Sequence, residues 1–503
     1  MATALGDDRK RRGQAAKYGM LRSDLNEIQG DLLRGMQKKA ELFLFFTIAD
    51  AARFKAVARE YVVGLLTHGG TVQERERMVA ARRRRGSGSG SGEMPWLGMN
   101  LGFSKDGLTR LLGPNRPRMD PAFERGADDP ETIAALNDPA PSKWLRSILS
   151  DRIDGVFLIA GPDKFFVTSH GNTLRARLGS AIKAVYSEIG AVRPGRERRH
   201  EHFGFLDGIS QPGIRGLTPV SRPSAAPEQG LPGQDLIWAG EFVLGHPGQD
   251  PRDPVKPGPI APLPAPWAKN GSYMVFRRLE QKVPEFRKFV AEQAARLAMD
   301  PQLLAARMVG RWRSGAPLEL ASLRDDPTLG GDNNRNNDFE FGDDRFQRKC
   351  PYAAHIRKAY PRDDTASEAE VQRHRIVRAG IAFGPEVAPG ETTTRHERGL
   401  MFVCYQTSIE RQFEFIQKNY ANNPDFVGGK QRPDSSGVVM PGFDPIIGQA
   451  SGNGARQMDE PYPNYPAGSR RTTLAIPEQF VKLTAAAYFF MPSITALRTV
   501  FTS

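Results

Sequence analysis

The chain alternates short apolar runs of strand length with longer segments whose apolar residues recur at helical spacing. Leu42-Phe43-Leu44-Phe45-Phe46-Thr47-Ile48 is the first such run and predicts a buried strand. Asp50 behind it can cap a helix running through Ala58 to Leu66. Trp96 to Phe103 repeats the plan, with a helix over Asp106–Leu112, and Gly155 to Gly161 is a third strand. A helical pattern then extends from Thr173 to Ile189 and is expected to end on Gly190.

The second half follows suit. Tyr273 to Phe276 predicts a strand, and Val283 to Leu297 a helix with Pro284 in its tolerant first turn. Leu400 to Tyr405 predicts another strand, and Ile409 to Tyr420 a helix, with Thr407 and Glu410 at capping-box spacing. Two strand–helix units in each half predict an α+β fold made of a duplicated module, with antiparallel sheets covered by helices. Residues 217–235 and 246–268, dense in Pro and Gly, are expected to be surface excursions. Residues 1–22 are polar and basic and are expected to be disordered, with order starting near Ile28.

Composition narrows the class. With 503 residues, 39% hydrophobic and 25% charged, the chain can bury one large core or two to three ordinary domains. Two cysteines, Cys350 and Cys404, make neither a disulfide framework nor a four-ligand zinc site, and a reducing compartment follows. The net charge of +13 invites a nucleic-acid reading. Much of it lies in runs such as Arg82 to Arg85 beside a Gly/Ser loop at 86–92, and no nucleic-acid-binding signature accompanies it. No signal peptide and no apolar run of about 18 residues occurs, so a cytoplasmic protein without a membrane span is expected, with unconventional export left open.

Three segments carry candidate chemistry. In His202-Phe203-Gly204-Phe205-Leu206-Asp207-Gly208-Ile209-Ser210-Gln211-Pro212 one carboxylate stands between apolar residues and glycine turns. Desolvation there would raise its pKa toward proton-shuttling range; the plain alternative is an Asx turn. In Ala353-Ala354-His355-Ile356-Arg357, His355 follows small residues that let a large planar group approach, and neutral imidazole is a common axial haem ligand. The alternative is a core histidine. His200 and His202 are pocket-edge candidates. Arg378, inside the apolar run Ile376 to Phe383, can stabilise an oxyanion or form a structural salt bridge.

Together these segments resemble the dye-decolorizing peroxidases. Gly204-Phe205-Leu206-Asp207-Gly208 matches that family's GxxDG motif, Ala354 to Lys358 its proximal histidine segment, and Ile376 to Gly380 its distal arginine segment. Further matches extend the likeness over residues 23–495, closest to the fungal-type, longer branch. The resemblance implies two ferredoxin-like modules of the dimeric α+β barrel type. The first would span 23–216 with the GxxDG loop, 217–268 would connect, and 269–503 would bind haem b.

It also implies an enzyme that reduces hydrogen peroxide and oxidises dyes, phenols or other small aromatic reductants through a high-valent iron-oxo intermediate, with an acidic optimum. Asp207 and Arg378 would be catalytic and His355 the iron ligand. Gly208, Ser210, Gln211, Leu400 and Phe402 would border the cofactor, and Arg357 and Arg362 would meet its propionates. Glu410 or Glu414 would support the proximal histidine. Tyr405 is the preferred radical site for bulky substrates. A non-catalytic haem carrier or sensor, and a basic nucleic-acid binder, are the competing readings; the oligomeric state is open.

Overall fold

The computed structural model describes residues 22–84, 96–145, 152–225, 227–365, 367–430, 438–450, 456–460 and 472–503. The basic N-terminus and the Gly/Ser loop singled out above lie outside these residues. Nine strands carry the framework: β1 (Ala40–Ile48), β2 (Gly98–Phe103), β3 (Gly155–Gly161), β4 (Ile182–Ala191), β5 (Ser272–Gln281), β6 (Val377–Arg378), β7 (Ile381–Phe383), β8 (Gly399–Gln406) and β9 (Val481–Met491).

Their antiparallel pairing repeats itself. In the first half the order is β4-β1-β3-β2, and in the second β9-β5-β8-β7, with β6 sharing the same edge of β8. Each is the fourth-first-third-second order of a ferredoxin-like module. The modules join at two seams, where Phe490 of β9 pairs with Phe103 of β2 and Phe383 of β7 with Gly190 of β4. The result is a closed α+β barrel without a free sheet edge.

Alternation along each strand then sorts the side chains. Phe43, Phe45, Val156, Leu158, Phe276, Met401 and Val403 fill the barrel interior. Leu42, Leu44, Phe46, Phe157 and Ile159 face outward against the helices of the first module, as Val283, Phe286 and Phe289 cover the second.

Asp50 caps its helix by accepting from Arg53 N, and the helical stretch runs Ala51–Leu65 with one wider turn at Ala58–Val62. The helix Val283–Arg296 carries Pro284 in its first turn. The helix expected over Thr173–Ile189 is displaced. Asp163 caps a helix over Lys164–Leu178, and the remainder is β4, whose Ile182 to Ile189 alternation competes with the helical period. Gly190 is no helix terminus: it sits at the module seam, where a Cβ would lie 2.3 Å from Ile381 Cγ2. The segment after β8 is helical over Glu410–Glu414 and Ile416–Ala421 with wide turns. Its start is capped by Gln412, whose Oε1 accepts from Thr407 N and Ser408 N, while Thr407 Oγ1 donates to Gly240 O. The capping box between Thr407 and Glu410 is therefore not formed. No helix among the described residues is long and apolar enough to cross a membrane.

Candidate active site

A cavity with about 1830 Å³ of empty space, open mouth included, lies on the outer face of the second module's sheet. Leu279 of β5, Leu400 and Phe402 of β8 and Leu483 of β9 form its floor. The loop before β5 and the segments after Val309 supply the rest of its wall.

The Asp207 loop is built from its own backbone inward. The buried Phe203 and Phe205 anchor it, and the Glu201 carboxylate accepts from both of their amides, at 2.9 and 2.8 Å. Asp207 N donates to Arg199 O, and Gly208, at φ +80°, turns the chain so that its own amide donates to Asp207 Oδ1 at 2.6 Å. Asp207 Oδ1 also receives Arg378 Nη1 at 3.2 Å. The two sequence-predicted distal residues thus meet across 171 positions. The Asp207 side chain is 43% exposed to the open cavity, so the protein walls alone do not desolvate it as the sequence reading expected. Gln211 does not line the cavity; it grips the main chain of Arg378, accepting from its N and donating to its O.

The same cavity is lined by His355, at the head of the short helix His355–Ala359, its side chain 28% exposed. Nδ1 is 2.8 Å from Oδ2 of Asp444, an acceptor, so Nδ1 carries the proton and Nε2 is left to the cavity. Burial opposes a charge on His355, and the Asp444 carboxylate outweighs it and raises the imidazole pKa. The sequence reading had placed Glu410 or Glu414 here. Glu410 is exposed at the surface, and Glu414 accepts from Tyr488 Oη at 3.0 Å and pairs with Arg125. Asp444 was missed because it lies 89 residues from His355, and only its place before Pro445 marks it as a turn residue.

The cavity rim is cationic. Arg362 and Arg311 both donate to Asn337 Oδ1, at 2.7 and 3.1 Å, and Ser210 Oγ donates to that same oxygen at 2.6 Å. Arg362 holds this place with φ +52°, a left-handed conformation rare outside glycine, and lies over the Phe339 ring. Arg311 is buried among carbonyl oxygens with no carboxylate at ion-pair distance among the described residues. Burial and the neighbouring Arg362 pull its pKa down to about 9.

Arg357, expected beside Arg362, is instead fully buried away from the cavity, held by Asp364 and Asp344 and by Cys350 O. Gly208, Ser210, Arg362, Leu400 and Phe402 do line the cavity. Tyr405 does not: it falls on the opposite face of β8, inside the barrel, where its hydroxyl donates to Asp31 at 2.6 Å. Neither His200 nor His202 reaches the cavity, and His202 Nε2 bonds Phe383 O.

A largely apolar cavity lined by one open imidazole nitrogen, an arginine–carboxylate pair and a cationic rim of Arg311 and Arg362 fits an iron porphyrin with anionic side groups. This combination defines the haem peroxidase class. Residues 27–194 match the model of the DyP dimeric alpha+beta barrel domain, and residues 260–431 that of the Dyp-type peroxidase C-terminal region. A dye-decolorizing peroxidase of Exidia glandulosa is 39% identical over 496 residues, 94% of this chain and 87% of that protein. One from Mycetinis scorodonius is 37% identical over 95% of this chain and 87% of its own length.

Among solved structures, an ancestral D-type dye decolorizing peroxidase matches with TM-score 0.81 and 39% identity over 95% of this chain and 99% of that one. A fungal DyP-type peroxidase from Auricularia auricula-judae matches with TM-score 0.79 and 34% identity over the same shares. The chain belongs to the DyP-type peroxidase family. It is accordingly a haem peroxidase that consumes hydrogen peroxide and oxidises dyes, and the carrier and nucleic-acid readings are not favoured.

Proposed function

We propose that the cavity takes haem b, whose iron His355 Nε2 would hold, with Asp207 and Arg378 as the peroxide-handling pair and small aromatic compounds as reductants. The 3.2 Å contact between Arg378 Nη1 and Asp207 Oδ1, in the cavity that His355 also lines, carries this reading. When bound, the haem would supply the iron that peroxide oxidises and to which the reductant returns the electrons.

The chain's own groups do the rest. Asp207 accepts a proton from one peroxide oxygen and returns it to the other, which can then leave as water. Arg378 brings a planar guanidinium that orients peroxide and stabilises the negative charge that develops as the O–O bond breaks. His355 keeps its Nδ1 proton on Asp444 and presents a lone pair. Leu400 and Phe402 exclude water from one wall, and Arg362, Arg311 and Ser210 suit the propionates.

The test is the spectrum of the haem-loaded enzyme mixed with one equivalent of peroxide in a stopped-flow instrument. Asp207→Asn and Arg378→Leu should each slow the loss of the ferric Soret band by roughly 10²- to 10³-fold while retaining haem. His355→Ala should lose or grossly alter the haem spectrum. Unchanged rates in both distal variants would remove those residues from the reaction.

A further inference from the structure

The proximal carboxylate is not a free-standing partner of His355 but part of a compact turn. Asp444 is fully buried; its Oδ2 faces His355 Nδ1, and its Oδ1 accepts from Ile446 N at 2.8 Å and Ile447 N at 3.0 Å. The turn closes as Gly448 N donates to Asp444 O, and it is tied to the preceding helix by Asp444 N to Ala421 O. Ile446 and Ile447 then form part of the cavity wall.

Behind this turn lies Arg456, the first residue of the strand Arg456–Glu460, with no exposed surface. Its Nη1 donates to Gly448 O at 2.8 Å and to Asp444 O and Pro445 O at 3.3 Å, and its Nη2 donates to Glu478 O at 3.0 Å. Three of its four acceptors are therefore main-chain oxygens of the Asp444 turn. No carboxylate among the described residues is within ion-pair distance of it, and the carboxylate whose field attracts it is that of Asp444.

Carbonyl acceptors alone would be served by a neutral donor. Burying a permanent cation costs several kcal/mol unless its charge is compensated. The charge, not only the hydrogen bonds, therefore calls for an account.

We propose that Arg456 is a positioning residue of the proximal side: it fixes the Asp444 turn against His355, and its positive charge limits how strongly Asp444 draws on the His355 Nδ1 proton. It thereby sets the electron-donating strength of Nε2. Hydrogen-bond partners of a ligating histidine tune the metal in this way, and Arg456 acts one contact further out. The inference rests on the reading of His355 as the axial ligand.

The experiment compares the haem-loaded wild type with Arg456→Lys, Arg456→Gln and Arg456→Met. The readouts are the ferric/ferrous midpoint potential and the iron–histidine stretching frequency of the ferrous form. Removing the charge should let the imidazole gain imidazolate character, so Gln and Met should both lower the potential and raise the stretching frequency. Lys, which keeps the charge, should stay near wild type in both. A Lys variant shifted as far as the neutral ones would reduce Arg456 to a structural pin and overturn the proposal, and that measurement needs only the Lys protein to fold. Neutral variants that leave both readouts unmoved would overturn it as well. Absence of any iron–histidine stretch in the wild type would instead sink the assignment of His355 itself, with His355→Ala as the control.

Discussion

Gln211 clasps Arg378 by both ends of its main chain: Oε1 accepts from Arg378 N at 3.2 Å and Nε2 donates to Arg378 O at 2.6 Å. The Asp207 loop and strand β6 are thereby one rigid unit, since Gln211 lies four residues beyond Asp207. The Asp207–Arg378 pair, proposed above to handle peroxide, is thus held in register by a residue that does not face the cavity. Gln211→Ala removes both bonds and frees the Arg378 backbone to shift. A displacement on the scale of 1 Å at a catalytic group can cost up to about 10²-fold, so the second-order rate with peroxide should fall roughly 10- to 100-fold with haem content unchanged. Gln211→Glu should be worse than its size suggests, because a carboxylate would face Arg378 O. Equal rates for wild type and Gln211→Ala would show that the clamp is not needed.

Among the described residues, Asp444 supplies the one acceptor for His355 Nδ1. In Asp444→Ala that nitrogen loses its partner, and the tautomer that leaves Nε2 open is no longer enforced. Loss of such an outer partner typically weakens metal affinity about 10- to 100-fold, and haem titration of the apoprotein should show a loss of that size. Asp444→Asn can keep a hydrogen bond and should lie between the two. Glu414, by contrast, accepts from Tyr488 and pairs with Arg125 rather than with His355, so Glu414→Gln should bind haem like wild type.

What the sequence made legible follows the range of the interactions. Asp207, His355 and Arg378 stand out because each sits in a short apolar or small-residue segment where its presence demands a reason. Strands β1, β2, β3, β5 and β8 stand out for the same local cause, whereas β6 and β7 are too short to mark themselves and Lys482 and Thr484 interrupt the apolar run of β9. Asp444, Arg311 and Asn337 have no such local mark, and they enter the site only because loops distant in sequence converge on it. Tyr405 shows the limit of face assignment. It belongs to a strand that lines the cavity, yet a single-residue step along β8 sends it into the barrel rather than beside Phe402. In β4, Ile182 and Ile189 suit a helix repeat as well as a strand, and pairing with β1 decides between them.

A buried ion group holds the barrel interior near the same seam. Lys38 pairs with the wholly buried Glu41 at 2.6 Å, lies 3.8 Å from Asp31 Oδ1 and donates to Ala379 O at 2.8 Å. Burial pushes Glu41 up to about 7, and Lys38 works against that shift. Lys38→Met would leave two carboxylates buried without their cation, which costs about 3–5 kcal/mol of stability. The double variant Lys38→Met/Glu41→Gln should recover a large part of it. Denaturant midpoints of the three proteins check this, and a double variant no more stable than the single one would contradict it.

His202, which does not line the cavity, gives the fold an acid limit. Its ring is buried, Nε2 donates to Phe383 O, and burial together with Arg193 depresses its pKa to about 4. In the unfolded chain a histidine titrates near 6.5. Between about 4 and 6.5 the unfolded state therefore holds a proton that the folded state refuses. The contribution of His202 is full above about pH 6.5 and disappears as the pH falls toward 4, a loss on the order of 3 kcal/mol. His202→Gln keeps a donor for Phe383 O and has no proton to take up, so it should flatten this part of the stability profile. Urea denaturation at pH 7.0, 5.5 and 4.5, the three values being on the order of the window set by these pKa values, should show the gap between wild type and variant closing, or reversing, toward low pH. A constant gap across the three would show that acid sensitivity arises elsewhere. Because His202 leads directly into the Phe203–Asp207 loop, its protonation should also loosen the distal side first: peroxide reactivity should begin to fall at a pH where the bulk of the barrel is still folded.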